Sequence, residues 1–395
     1  MTTQDSATAR TRAHLATADA RLGIGMVGYS FMGRVHSHAW RNVAAFFDTP
    51  YRPVLAAIAG RTGPDVRAAA DRLGWATAET DWKDLIHRDD VHLVDICTPG
   101  DSHAEIAVAA LAAGKHVLCE KPLANTLAEA EAMAAAADTA RAHGMRAMLG
   151  FNYRRVPAVA LARRLVAAGR LGTIRHVRAH YLQDWLVDPE SPLVWRLDKE
   201  RAGTGALGDI GAHIIDTTQF ITGDLLTGVT ALTETFVKER PHPDGTARGP
   251  VTVDDAAVFL GRTEGGALAT FEATRFATGR KNALRIEVNG SAGSLAFDFE
   301  AMNELWFCDA ADDLAGFQRI LVTEADHPYA GAWWPPGHLL GCEHTFTHEV
   351  ADLLTAIGTG TDPDPSFADG LQVQRVLTAV ADSAAGGGWI PIGGS

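Results

Sequence analysis

The sequence predicts an α/β protein of two domains: a parallel-sheet domain first, then an α+β domain built on a large, open, mostly antiparallel sheet. Three observations carry that prediction. A chain of 395 residues is more than one hydrophobic core usually organises. From Leu22 to Gly150, short apolar runs alternate with longer Ala-rich stretches of helical pattern, the rhythm of successive βαβ units. Beyond Gly150 the rhythm gives way to strand-like runs separated by Gly, Asn and Asp turns.

In order, the first part reads as strand Leu22–Val27 and helix Met32–Phe47, strand Val54–Ala59 and helix Pro64–Gly74, strand Leu93–Cys97 and helix Ser102–Ala113. Strand His116–Cys119, helix Leu127–His143 and a last strand, Arg146–Gly150, complete it. Thr126, with Glu129 three residues on, makes a capping box for the fourth helix. The second part opens on a helix, Pro157–Ala168, and continues as strands Ile174–Trp185, Leu232–Lys238, Ala256–Leu260, Ala267–Phe276, Leu284–Val288, Ser294–Phe299 and Glu304–Phe307. Helical pattern returns at Glu343–Ile357 and Phe367–Ala384. So few helices leave one broad sheet face open; a second copy of the chain is the usual cover, which predicts a homodimer or homotetramer. The expected division is a tail over 1–21, a nucleotide domain over 22–149, and a substrate-binding and oligomerisation domain over 150–395.

Composition excludes several function classes. A formal charge of -13, from 48 acidic against 35 basic residues, repels nucleic acid and anionic lipid alike. No apolar run reaches the roughly 18 residues of a membrane span, and the polar stretch Met1 to Arg21 has no signal-sequence core. Cys97, Cys119, Cys308 and Cys342 are scattered without C-x-x-C spacing, as reduced thiols of a cytoplasmic protein are.

The loop Gly28-Tyr29-Ser30-Phe31-Met32-Gly33 lies where the first strand turns into a helix, which is the setting of a Rossmann phosphate-binding turn. Gly28 makes the tight turn, the residue at 30 lets a pyrophosphate approach the backbone, and Gly33 lets helix and strand pack closely. Ser30 replaces the usual middle glycine, but it is small and its hydroxyl can donate to a phosphate. Phe31 and Met32 complete the surface on which the cofactor lies. The second strand ends in Gly60-Arg61-Thr62 rather than in the acidic residue that takes the ribose hydroxyl of NAD. Arg61 suits a 2′-phosphate, yet stacked on adenine it suits NAD as well, so the cofactor is NAD or NADP.

Two further segments carry chemistry. Glu120-Lys121-Pro122 follows a strand at its carboxyl end, where open parallel sheets place their ligands. A lysine there serves as general acid or base once burial and a cationic nicotinamide ease its proton off. Asp209 and His213, four apart, share a helix face with Asp216 further along, and an aspartate can orient an imidazole that exchanges a proton with a hydroxyl. No third ligand at characteristic spacing accompanies them, so no metal is expected. His344-x-x-x-His348 lacks the H-E-x-x-H order and reads as a helix-face pair.

The Gly28–Gly33 loop followed by His36, the run Asp95-Ile96-Cys97-Thr98-Pro99 with His103, the Glu120-Lys121-Pro122 turn and the Asp209/His213 pair come in the order and spacing of the Gfo/Idh/MocA family. The chain resembles that family from Leu22 onward. The resemblance implies a Rossmann domain and a second α/β domain with an oligomerising sheet. It places Lys121 and His213 at the reacting hydroxyl, Asp209 at the substrate or orienting the imidazole, Glu120 near the nicotinamide, and Thr98, Pro99 and His103 along the cofactor. In Phe151-Asn152-Tyr153-Arg154-Arg155 it makes Arg154 and Arg155 candidates for substrate contact.

Family members oxidise or reduce one secondary alcohol of a sugar or cyclitol. Asp184-Trp185, Trp195-Arg196 and the loop Trp333–His338, with His338 as a candidate ligand, combine flat apolar faces with charge as a polyol site does. No Arg/Lys cluster stands out in the second half, which favours an unphosphorylated sugar or polyol. The loops resemble the branch that oxidises glycosides and anhydrosugars, with inositol dehydrogenases nearby, so oxidation at sugar C3 is the favoured expectation. Two alternatives are a glycosidase that retains NAD and oxidises C3 transiently, and a non-catalytic sugar-sensing regulator. The intact Lys121, Asp209 and His213 argue against the regulator.

Overall fold

The computed structural model describes residues 20–393 apart from 246 and 315, so all but the end of the expected tail lies outside the described residues. Six parallel strands form the first sheet: β1 (Arg21–Val27), β2 (Arg52–Ala59), β3 (Thr77–Glu79), β4 (Leu93–Ile96), β5 (His116–Cys119) and β6 (Ala147–Leu149). Their spatial order is β3-β2-β1-β4-β5-β6, the Rossmann order. Helices α1 (Phe31–Phe46), α2 (Gly63–Leu73), α3 (His103–Ala112) and α4 (Leu127–Ala142) connect them. Strand β3, a three-residue Thr-Ala-Glu, is too short to show a period in sequence. The Thr126/Glu129 capping box is present at the start of α4. The strand order reverses between β1 and β4, the crevice where open α/β sheets bind ligands.

The second part contains α5 (Pro157–Ala167), β7 (Ile174–Leu182), α6 (Ala212–Thr222), β8 (Leu226–Glu234), a ribbon of β9 (Glu239–Pro241) and β10 (Arg248–Pro250), β11 (Ala256–Thr263), β12 (Leu268–Thr274), β13 (Ala283–Gly290), β14 (Gly293–Asp298), β15 (Glu304–Asp309) and β16 (Gln318–Leu321). Helices α7 (Cys342–Thr359) and α8 (Phe367–Gly386) and strand β17 (Ile390–Pro391) follow. Nine strands form one sheet in the order β16-β15-β14-β13-β7-β12-β11-β8-β17. Only β7 and β12 pair in parallel; the other pairs are antiparallel. Helices α5, α6 and α8 pack on one face. On the strands Leu232, Val258, Leu260 and Leu268 are each more than half exposed, an apolar row that no helix among the described residues covers.

Short strands β3, β9, β10, β16 and β17 go beyond the sequence expectation, and β8 departs from it. The strand expected at Leu232–Lys238 begins earlier, at Leu226, because Gly228 is a strand residue rather than a turn: a Cβ there would come within 2.5 Å of the Trp389 ring. It ends at Glu234, after which Asp255 accepts from the backbone N–H groups of Phe236 and Val237 and turns the chain. The chain also crosses back. Phe346, Val350, Leu353 and Leu354 of α7 share a core with Ile24, Met26, Trp40 and Val43 of the first sheet and its helix α1, and the Leu149 N–H donates to the Pro365 carbonyl at 3.1 Å. The four cysteines are free thiols.

Candidate active site

The loop after β1 is shaped by hard contacts. Gly28 has φ +102°, a region favourable to glycine, and a Cβ on it would lie 2.8 Å from the Cys97 carbonyl oxygen. A Cβ on Gly33 would lie 2.3 Å from the Gly28 carbonyl oxygen, so the helix approaches the strand as closely as expected. Ser30 caps α1 without a side-chain hydrogen bond, and the first turn holds no acidic residue. The leading N–H groups are therefore open to an anion, and the loop fits a dinucleotide pyrophosphate. Phe31 stands 73% exposed beside it, Met32 half-buried. At the end of β2, Gly60 is obligatory for a different reason: a Cβ there would be 2.0 Å from the Tyr29 ring. Arg61 is exposed.

Beside this loop, His103 ties two turns together, one ring nitrogen 2.9 Å from the Thr98 carbonyl and the other 2.9 Å from that of Pro122. Thr98 Oγ1 accepts from Ser102, and Thr98 and Pro99 are half-buried. The Lys121–Pro122 bond is cis. Behind Lys121 runs a buried polar chain. The Lys121 N–H donates to Glu120 at 3.2 Å, the other Glu120 oxygen is 3.0 Å from His36 Nε2, and His36 Nδ1 is 3.0 Å from Asp95. Trp40 Nε1 donates to Asp95 at 2.7 Å. Burial would lower the His36 pKa, but the Asp95 carboxylate outweighs it and holds the ring charged. Glu349 faces the same chain with neither oxygen hydrogen-bonded. Burial pushes it up to about 8, against the pull of Arg155 and His36.

The second half reaches this place through a π-helical turn, Leu207–Gly211, that leads into α6. Lys121 Nζ donates to the Asp209 carbonyl at 2.9 Å and lies 3.4 Å from its carboxylate. Arg275 approaches the other carboxylate oxygen at 3.9 Å. Burial would raise Asp209; Lys121, Arg275 and Arg196 together hold it below the usual carboxylate range. His213 stacks on Tyr153, centroids 4.2 Å apart, and the Tyr153 hydroxyl meets Tyr181, which donates to Asn282. Burial and then the Lys121 charge push the imidazole well below its ordinary pKa, so the ring is neutral near pH 7. Its Nδ1 is buried without a partner.

Several of the expected site residues have partners of their own in the structure. No hydrogen bond joins Asp209 to His213: the carboxylate faces Lys121 and Arg275, and the imidazole stacks on Tyr153. Asp216 does not join them; it pairs with Arg154. Arg154 also donates to Asp364, and Arg155 to Asp352 and the Asp364 carbonyl, while Arg155 Nη1 is left without a partner. Asp184 accepts from Lys281 and the Gly279 N–H. The Trp333–His338 loop packs elsewhere: Trp333 lies on Phe46, at the far end of α1 from the Gly28 loop, and donates to His348, while His338 stays with the Pro335 carbonyl. Trp185 does reach the centre, its ring under Arg275. Arg196 stacks on Trp195 at 4.4 Å in a segment tied to the nucleotide side by Arg201 with Asp101 and Asn125.

Arg275 and Tyr153 stand in contact with Asp209 and His213, and sequence reasoning does not single them out. Arg275 was detectable: it continues the inward phase of Ala269, Phe271 and Ala273, where a charge is anomalous. For Tyr153 only its place after β6 hinted at a role.

A pyrophosphate cradle that shares its wall with a lysine and a neutral imidazole is the equipment of a nicotinamide-dependent oxidoreductase. Residues 22–151 match the oxidoreductase family's NAD-binding Rossmann fold and residues 159–296 the GFO/IDH/MocA C-terminal domain. The chain is 42% identical to levoglucosan dehydrogenase of Pseudarthrobacter phenanthrenivorans over 94% of its length and 98% of that protein. Among solved structures it is similar to an oxidoreductase domain protein from Kribbella flavida, 68% identical with TM-score 0.93, covering 95% of this chain and 100% of that one. It is also similar to levoglucosan dehydrogenase in complex with NADH and levoglucosan, 41% identical with TM-score 0.91 over 95% and 100% of the two chains. The chain belongs to the Gfo/Idh/MocA family. It is an NAD-dependent oxidoreductase of the sugar dehydrogenase group, acting on CH–OH groups.

Proposed function

We propose that the enzyme oxidises one secondary alcohol of an unphosphorylated sugar to the ketone, with C3 of an anhydrosugar or glucoside as the reacting carbon. The observation that carries this reading is the contact of Lys121 Nζ with Asp209 at 2.9 Å, which brings the end of β5, beside the dinucleotide loop, onto the helix that holds His213. Bound NAD supplies the hydride acceptor, C4 of its nicotinamide. Lys121 takes the hydroxyl proton. His213, neutral and with Nδ1 enclosed, has only Nε2 to offer the same oxygen, and donating an N–H from it steadies the alcohol and then the ketone. Trp185, Trp195 and Tyr153 supply flat faces for a sugar ring. The carbinol loses a hydride and a proton, and the products are ketone, NADH and H⁺.

The anhydrosugar preference is supported by the likeness to levoglucosan dehydrogenase along nearly the whole of both chains. The test is a panel of levoglucosan, alkyl glucosides and inositols, each with NAD and with NADP, followed by the absorbance of the reduced nicotinamide. We expect levoglucosan with NAD to be oxidised fastest. Faster turnover of an inositol would overturn the substrate, and aglycone release without net NADH would overturn the reaction.

A further inference from the structure

Strand β12 alternates inward and outward, and its inward set, Ala269, Phe271 and Ala273, runs on to Arg275, each at most 2% exposed. A buried guanidinium is costly unless its donors are used. Here they are not. Nη2 donates to the Asp254 carbonyl at 3.0 Å, but Nε and Nη1 have no hydrogen-bond partner, and Nη1 lies 3.9 Å from Asp209, too far for a hydrogen bond. The site is nevertheless built for it: Trp185 covers the guanidinium, and Gly205 is bare where a Cβ would meet Nη2 at 2.8 Å. What this arrangement delivers is a fixed positive charge behind Asp209.

We propose that Arg275 is a positioning residue for the reaction: it holds the Asp209 carboxylate from the side opposite Lys121 and offsets that carboxylate's grip on the Lys121 ammonium. The proposal rests on Lys121 as the proton acceptor. A proton acceptor beside an unopposed aspartate is held protonated; a second cation on the same carboxylate relieves this. The charged and titratable groups facing Asp209 are Lys121 from the turn after β5, Arg275 from the end of β12, Arg196 from the Trp195 segment, His213 from α6 and Tyr181 from β7. Arg275 itself faces Asp209, Asp254, Asp255 and Arg196, and Arg240 lies within its field.

The test needs neither cofactor nor sugar. Acetic anhydride modifies only the free amine, so labelling of Lys121 in the apoprotein, read by peptide mass spectrometry across roughly pH 6 to 11, reports its protonation directly. Arg275→Met raises the pH of half-labelling; Arg275→Lys stays near wild type; Asp209→Asn shifts it down. Opposite shifts from the two partners are not what loosened packing produces. An unchanged Asp209→Asn profile overturns the proposal even if Arg275→Met fails to fold, as does Arg275→Lys matching Arg275→Met. In parallel, the pH profile of kcat for levoglucosan oxidation with NAD should move with the labelling curve. Absence of levoglucosan turnover by wild type counts against the substrate reading, while the labelling shifts still decide the role of Arg275.

Discussion

Arg154 and Lys121 each meet an aspartate of the same short stretch, Asp216 and Asp209, and the two encounters are opposite in kind. Arg154 bonds both Asp216 oxygens through Nε at 3.0 and 3.1 Å, adds Asp364, and lies 5.1 Å over Phe220. Every fork of that guanidinium is used, and it cements α6 to the residues before α8. Lys121 has one good bond, to a carbonyl, and a long approach to a carboxylate whose other partner stands 3.9 Å away, next to an imidazole with an orphaned nitrogen. Saturated charge clusters are scaffold; under-bonded ones hold capacity in reserve for a ligand. By that criterion Arg154 is bonded as scaffold is, Arg155 keeps one buried Nη1 without a hydrogen-bond partner, and Lys121 keeps capacity for the proton transfer proposed for it.

The comparison can be broken from either side. The largest effect is expected from Arg154→Ala. It strands the buried Asp216, which burial already raises to about 6 against Arg154, and should cost about 3–5 kcal/mol of stability in urea melts while the folded enzyme keeps its turnover. A stable Arg154→Ala protein with lost activity would instead return Arg154 to the substrate. Glu349, which feels both Arg155 and His36, gives a smaller and pH-dependent effect. An unfolded glutamate titrates near 4.5 and this one near 8, so between those values the folded state binds more protons and stability falls as pH rises. A glutamine at that position carries no such slope. Glu349→Gln should therefore gain on wild type by more than about 1 kcal/mol between pH 5 and pH 8; a constant difference in urea melts at the two pH values would contradict it.

Much of the fold was legible in local pattern. The βαβ rhythm, the capping box and the Gly28 loop are short-range features, and the structure places each within a residue or two of its sequence boundary. Strand β8 was not legible because Gly228, which reads as a turn, is a strand residue beneath a tryptophan contributed 161 positions later. The crossing of α7 back to the first sheet is likewise a long-range fact that an amphipathic helix cannot announce. In the site, Lys121 stood out because turn position and residue type agreed. For Arg154 and Arg155, charge is visible in sequence and ion pairing is not: their partners Asp216, Asp352 and Asp364 lie 62 to 210 positions away. The spacing of Asp209 and His213 is altered by a local feature, the π-turn, which no residue in Leu207–Gly211 signals.

Lys121, at the end of β5 beside the dinucleotide loop, is the residue proposed to take the proton in the NAD-dependent oxidation. The most direct test of that role is Lys121→Ala on the sugar that wild type oxidises fastest, with turnover and NADH affinity measured on the same preparation. Turnover should fall by at least about a hundredfold with NADH binding and the melting temperature little changed; near-normal turnover in that variant would contradict the account.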